Sequence, residues 1–493
     1  MTAQHLPALQ VVLPLLAAPA CLLLRGSRRC WWLAMGISAT ALAISWCLFL
    51  EVQSTGSIRY ALGSWPAPWG IEYRIDALNS LVLLIVSGVS TVVLPFARDS
   101  LDCEVDRGRQ YVFYTGWMLC LTGLLGMCVT GDLFNIFVFL EISSLSMYLM
   151  IALGRERRGL VAAFSYLVMG TIGATFFLIG LALLYAVTGT LNLQDMAQRL
   201  ASISDSRAMV TAFAFIVLGM AVKAAVFPLH WWLPGAYRYA PTPATAMMGG
   251  TATKVAVYLI IRLVYDVFGA DFSFQAVPLT DVLLAAGVGA TLLMSAVALL
   301  QDDVKKLFAY SSVAQVGYMM IGISLASAAG VTAALLHLFN HAIIKTALFM
   351  ALGAAFVRTG GFRLRDLEGL GRYMPWTMAA LLVAGLSLVG VPLTAGFVSK
   401  WYLVVAALDG HHLWLALTVV ASSLLALAYV WRIVEAGYFK PVPDHVTDRR
   451  EAGPALLVPL WVLAVANVYF GVYTSLPVGA ATSAARILLS GAQ

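Results

Sequence analysis

Apolar residues recur along this chain in fourteen runs, at about 7–24, 31–50, 77–96, 111–129, 133–153, 161–187, 208–229, 242–265, 282–300, 304–325, 329–357, 375–408, 411–438 and 454–476. Runs of about 20 apolar residues are long enough to span a bilayer as helices. The pattern predicts an all-α polytopic membrane protein with about 14 transmembrane helices, here called segments 1–14. Two runs are interrupted by proline: segment 7 carries Lys223 followed by Phe227 and Pro228, and segment 12 carries Val391 and Pro392 followed by Lys400. Proline removes a helical hydrogen bond, and inside a bilayer the freed carbonyl must face protein or water. Two broken segments in corresponding places point to a transporter made of two related halves. The prolines lie 164 positions apart (228 to 392), five segments on, so the second copy is expected to be inverted. Two unrelated kinks are the plainer alternative. The division that follows is an N-terminal three-helix part (1–110), a first five-helix repeat (111–267), a second (280–438), and a C-terminal helix and tail (439–493).

Composition adds the solvent. Of the 493 residues, 61% are hydrophobic and only 11% charged, against roughly a quarter charged in soluble proteins. The first run is not preceded by Lys or Arg; Arg25, Arg28 and Arg29 follow it. That polarity is wrong for a cleaved signal peptide, and a retained helix is expected. Nineteen Lys and Arg fall in the loops after odd-numbered segments, and five (Arg59, Arg74, Arg199, Arg207, Arg486) on the other side. The bias puts the first set of loops in the cytoplasm and both termini outside. The net charge of +6 is dispersed among those loops, with no basic patch or RNA-binding motif, so no nucleic-acid partner is expected.

Ionisable residues within the hydrocarbon region are costly and are functional candidates by default. Glu141 stands alone in segment 5, with Lys223 of segment 7 as its natural partner. Burial favours the neutral forms of such a pair and pairing the charged ones, so it can hold or release a proton; a static salt bridge that fixes packing is the alternative. Lys254 lies half-way along segment 8 behind Gly249 and Gly250, far from either end for snorkelling. A lysine without a local acid has an accessible neutral form and suits proton carriage. His337, His341 and Lys345 recur at steps of four in segment 11 and share a helix face. Histidine titrates near neutrality, so this ladder suits stepwise proton passage; a structural polar seam or a zinc pair are the other readings. Lys400 ends the broken part of segment 12. Asp132, Arg262, Arg432 and Glu435 lie near segment ends, where interface anchoring is the simple reading. The run Asp302-Asp-Val-Lys-Lys306 reads as a solvated cytoplasmic turn.

The six cysteines (Cys21, Cys30, Cys47, Cys103, Cys120, Cys128) contain no Cys-x-x-Cys pair and read as packing residues, so no metal site is expected. No phosphate loop, dinucleotide fingerprint or nucleophile elbow is present, so neither a cofactor nor catalytic machinery is expected in this chain.

Five stretches carry a resemblance: Gly131–Glu141, Lys223–Pro234, Ala240–Thr245, Asp303–Ser312 and His337–Lys345. The chain resembles the antiporter-like subunits of Mrp-type cation/proton antiporters, respiratory complex I and membrane-bound hydrogenases. The resemblance implies fourteen helices with two inverted five-helix repeats and broken helices 7 and 12. It implies that Glu141 pairs with Lys223, that Lys254 and His341 continue a hydrated central axis, and that Lys400 is the exit-side proton carrier, with His337 and Lys345 secondary. The wording from Gly131 to Glu141 and from Gly390 to Lys400 is most similar to the D-type component of Mrp antiporters. One complex I subunit type has glutamate where Lys400 stands, which disfavours that type. No long amphipathic lateral helix is legible after residue 476. The implied setting is the cell inner (plasma) membrane, and the implied partners are other subunits of a membrane antiporter complex, protons, monovalent cations and the lipid bilayer. Protons would move inward while the complex exports a cation. A redox-driven pump and a purely structural scaffold are the alternatives.

Overall fold

A computed structural model describes residues 3–203, 206–442 and 449–490. Among them, thirteen helices are long and apolar enough to cross a membrane. Segment 12 is made of two shorter helices, Pro375–Val389 and Ala395–Asp409. Strand, among the described residues, is confined to one antiparallel hairpin, Ser57–Ala61 with Glu72–Asp76, between segments 2 and 3. Segments 3, 4, 8, 10 and 11 form the centre: most of Ala77–Glu104, Arg107–Val129, Thr242–Val267, Val304–Ser324 and Ala328–Thr359 is buried, whereas Arg158–Thr188 and Leu413–Phe439 leave most of their length at the perimeter. The core is therefore built where the candidate lysines and histidines lie.

Helix starts follow local chemistry. Asp76, Asp132 and Asp303 each accept backbone N–H groups at the start of segments 3, 5 and 10, satisfying donors that have no partner in the first turn. Segment 7 ends its first half at Ala224, where Ala225 takes the left-handed conformation and the Val222 carbonyl accepts from both Ala225 N and Trp232 Nε1; Trp232–Tyr239 then resumes as helix. Segment 8 is broken too, at Thr251 (φ −127°, ψ −55°), between Thr242–Gly250 and Ala252–Ile261. No proline marks that place.

A duplicated brace relates the two halves. Asp132 bridges to Asn192, and Asp303 to Arg363. Leu133 N donates to Leu191 O at 2.8 Å and Val304 N to Phe362 O at 2.7 Å; Leu193 N donates to Gly131 O at 2.8 Å and Leu364 N to Asp302 O at 2.9 Å. Every partner in the second brace is its counterpart moved on by 171 positions (132 to 303, 192 to 363). By the loop assignment one brace lies outside and the other on the cytoplasmic face, as inverted copies require. Segments 8 and 13 also both end in a π-helical turn, Arg262–Val267 and Glu435–Phe439.

Two expectations need correction. The run 302–306 is not a solvated turn: Asp303 caps segment 10 and Lys305 is 1% exposed, because loops from elsewhere in the chain close over it. Arg262 is not an interface anchor but is buried, with Nη1 at 2.7 Å and Nη2 at 2.8 Å from the two carboxylate oxygens of Asp76. Beyond residue 476, Ser475–Ser490 forms a helix packed on segments 3 and 11.

Candidate functional site

Lys223, Lys254 and Lys400 lie beside helix breaks, and the last two are held by carbonyls that the breaks expose. Lys223 occupies the last turn of the first half of segment 7 and is buried; its Nζ donates to Ser144 Oγ at 2.8 Å and meets Glu141 Oε1 at 3.5 Å. The sequence-predicted pair is thus formed. Glu141 keeps about a quarter of its side chain exposed (27%) at the perimeter, so its carboxylate faces whatever lies beside the chain as well as Lys223. A cavity of about 20 Å³ runs from Lys223 past Ser143, Ser144 and Tyr166 to Ala252 and Ala256 of segment 8. That is enough room for a water molecule beside polar groups.

Lys254 is 1% exposed. The break at Thr251 frees the Gly249 carbonyl, which accepts from Lys254 Nζ; Thr253 Oγ1 lies at 3.3 Å. Its ammonium is thus held by neutral oxygens. His341 lies one helical turn from both His337 and Lys345 on segment 11. The His337 and His341 rings stack with centroids 5.9 Å apart. Neither nitrogen of His341, nor Nε2 of His337, has a hydrogen-bond partner among the described residues. A buried polar ring without protein partners is costly unless water serves it.

The shared face of segment 11 divides. Lys345 turns toward segment 10, donating to Phe308 O at 2.9 Å and to Ser311 Oγ. His337 turns toward segment 12, its Nδ1 3.0 Å from Ser399 Oγ. Next to Ser399, Lys400 donates to the Leu388 and Val389 carbonyls at 3.0 and 2.9 Å and to Ser423 Oγ at 3.0 Å. Those carbonyls end the first half of segment 12, where the helix dipole favours a cation. Lys400 Nζ also sits 5.0 Å over the Tyr318 ring, which in turn meets the His337 ring at 5.3 Å. The predicted residues form a buried row made of two contacting groups, Glu141 with Lys223 and His341 through His337 and Tyr318 with Lys400. Between them stands segment 8, which carries Lys254, lines the Lys223 cavity with Ala252 and Ala256 and packs Gly250 against Thr346 of segment 11, while Lys345 is a side branch.

The halves of segment 12 meet closely at Gly396, where a methyl group would overlap the Ser387 carbonyl. We expect Gly396→Ala to cost about 1–3 kcal/mol through overpacking, seen as reduced yield of assembled complex on native gels. Wild-type yield would show that the two halves are not rigidly packed.

Sequence reading missed two parts of the site. The Thr251 break has no proline to signal it, although the Gly249-Gly250 pair is a weak sign. The Lys305 environment depends on loops far apart in sequence.

Comparison with known proteins follows the same outline. A family described as "NADH:quinone oxidoreductase/Mrp antiporter, TM" matches residues 130–426. The N-type subunit of the NADH-quinone oxidoreductase of Desulforudis audaxviator is 40% identical over 490 residues, 96% of each chain. The D-type subunit of the Na(+)/H(+) antiporter of Alkalihalophilus pseudofirmus is 31% identical over 432 residues, 87% of this chain and 86% of that one. A chain of the membrane-bound sulfane sulfur reductase, an archaeal respiratory membrane complex, superposes with a TM-score of 0.90 at 32% identity over 99% of both chains.

Proposed function

The chain belongs to the NADH:quinone oxidoreductase/Mrp antiporter transmembrane family, and from that premise we propose that it is the proton-carrying subunit of a multisubunit monovalent cation (Na+)/H+ antiporter, of the Mrp D type, in the cell inner (plasma) membrane. The observation that carries the proposal is the buried row itself. Lys223, Lys254 and Lys400 are each at most 7% exposed, and each holds its ammonium on carbonyls, hydroxyls or one partly exposed carboxylate. Lys254 and Lys400, on neutral acceptors, can lose a proton without leaving a bare buried anion behind, and the acid beside Lys223 is partly exposed, so a proton can be handed on.

In this reading a proton moves by hops between side chains and intervening water. When the Glu141–Lys223 pair separates, the field on Lys254 changes, and the hop toward His341, His337 and Lys400 is favoured or blocked. The likeness to an Na(+)/H(+) antiporter subunit supports a cation-coupled driver. A second reading has a specific observation behind it: the 40% identity to a subunit of an NADH-quinone oxidoreductase, together with the sulfur reductase likeness, supports a redox-driven complex with the same proton row.

One experiment separates the drivers. Inside-out vesicles carrying the full native complex are given a proton gradient, and a pH-sensitive dye is followed as sodium, potassium or lithium is added. Cation-dependent collapse of the gradient is the expected result and names the ion. No response to any cation, with acidification on adding an electron donor to this complex, replaces the antiporter reading with the redox one.

A further inference from the structure

Five of the loops placed in the cytoplasm converge on one vestibule of about 350 Å³, lined by Glu104, Glu156, Arg238, Ala240, Lys305 and Phe362 among others. Two ionisable groups on its wall are almost wholly buried: Glu104, 8% exposed, and Lys305, 1% exposed. Both are held in place. Glu104 accepts from Ser100 Oγ at 2.7 Å, Thr242 N at 2.8 Å and Thr242 Oγ1 at 3.0 Å. Lys305 Nζ donates to Ala240 O at 2.6 Å and lies 4.7 Å over the Phe362 ring. Held by these separate partners, each keeps capacity toward the space between them. Arg238 closes the outer side, paired with Asp303 and, at 3.3 Å, with Glu156.

From Lys305 a short route leads inward. Phe308, one helical turn on in segment 10, offers its carbonyl to Lys345 at 2.9 Å and its ring at 5.5 Å. Thr346, the residue after Lys345, packs against Gly250, and the adjoining Gly249 carbonyl holds Lys254 of the buried row. The side branch of that row thus ends beneath the vestibule.

We propose that this vestibule is the cytoplasmic mouth of the proton path, with Lys305 as the group that exchanges protons between cytoplasmic water and Lys345, and Glu104 as the residue that positions and charge-balances it. This rests on the proton-carrying reading above. It gives Lys345 a role as connector and makes the row branched, with a cytoplasmic mouth on that branch as well as ends at Glu141 and Lys400.

The test uses the full complex in vesicles of both orientations. Lys305→Arg keeps the positive charge and the donors but cannot release a proton at any accessible pH. Lys305→Ala and Lys305→Arg should both slow proton movement on the order of tenfold or more, with assembly intact on native gels. Full activity of Lys305→Arg would assign the lysine a fixed structural charge and overturn the proposal. Separately, Lys305→Cys, with the exposed Cys47 and Cys103 changed to serine, should react with a membrane-impermeant thiol reagent only when the cytoplasmic face is outward. Reaction from the other face, or none, also overturns it, and this arm decides if the arginine variant does not assemble. Lys223→Ala run in parallel distinguishes the two levels: normal activity there removes the proton-carrying reading and this inference with it, whereas loss there with normal activity in both Lys305 variants removes only the mouth.

Discussion

Lys223→Ala abolishes proton movement while the complex still assembles; that is the largest effect expected of any single change in this chain. The side chain reaches Ser144 and Glu141 on segment 5 and opens onto the cavity toward segment 8. Its removal takes away the amine between Glu141 and Lys254, and a positioned proton carrier is worth on the order of 10²-fold or more in rate. It also leaves Glu141 without that partner. Glu141→Gln in the same background removes the second effect, so the double variant separates loss of the carrier from stranding of the acid. Measured with the dye assay, the single and double variants should be equally inactive. Recovery in the double variant would mean that Lys223 only neutralises Glu141, and the row would then not run through it.

The second large effect is on stability. Arg262→Met takes the bidentate partner from Asp76, which is 4% exposed and is left with the Leu78 and Asn79 N–H groups and Arg74 at 3.9 Å. Removing one partner of a buried ion pair costs about 3–5 kcal/mol, whereas removing both charges is far better tolerated. Thermal unfolding of the detergent-solubilised complex should therefore show a large loss for Arg262→Met and a smaller one for Asp76→Asn/Arg262→Met, in which the asparagine removes the charge but still caps segment 3. Equal losses would mean that packing, not the stranded carboxylate, sets the cost. The same pair predicts acid sensitivity. Burial alone would raise the Asp76 carboxyl, but the Arg262 guanidinium, with Arg74 and the Asn79 N–H, overrides it and holds the group below its ordinary 3.8. A carboxylate with a depressed folded value lends stability above the ordinary value, and that stability is lost as pH falls through the folded one. Unfolding by acid should set in at higher pH in an Arg74→Gln variant, which weakens the hold on Asp76.

What the sequence made legible, and what it hid, divides along physical lines. The fourteen crossings were readable because hydrocarbon demands long apolar runs, and the breaks in segments 7 and 12 because proline announces them. Glu141, Lys223, Lys254 and Lys400 stood out because charge is rare in such runs. Lys305 did not stand out. It sits beside Asp302, Asp303 and Lys306, a composition that reads as solvated, and only the meeting of loops from residues 104, 156, 238 and 362 buries it. Arg262 and Asp76 are 186 positions apart, beyond any local signal. The repeat was inferred from prolines spaced by 164, whereas the braces recur at 171, so the two registers differ by seven residues. The break at Thr251 has no sequence marker of the proline kind, yet it supplies the carbonyl that holds Lys254.

Lys400 is held by three acceptors, the Leu388 and Val389 carbonyls and the Ser423 hydroxyl, and a lysine ammonium has three hydrogens. The tally is full. Once a proton leaves, two hydrogens and a lone pair remain for the same three neighbours. The carbonyls can only accept, so they keep the two hydrogens, and the Ser423 hydroxyl must turn round and donate to the nitrogen. One proton transferred thus reverses the sense of a hydrogen bond between segments 12 and 13, and the joint of the broken helix registers, in the orientation of a single hydroxyl, whether the carrier is loaded.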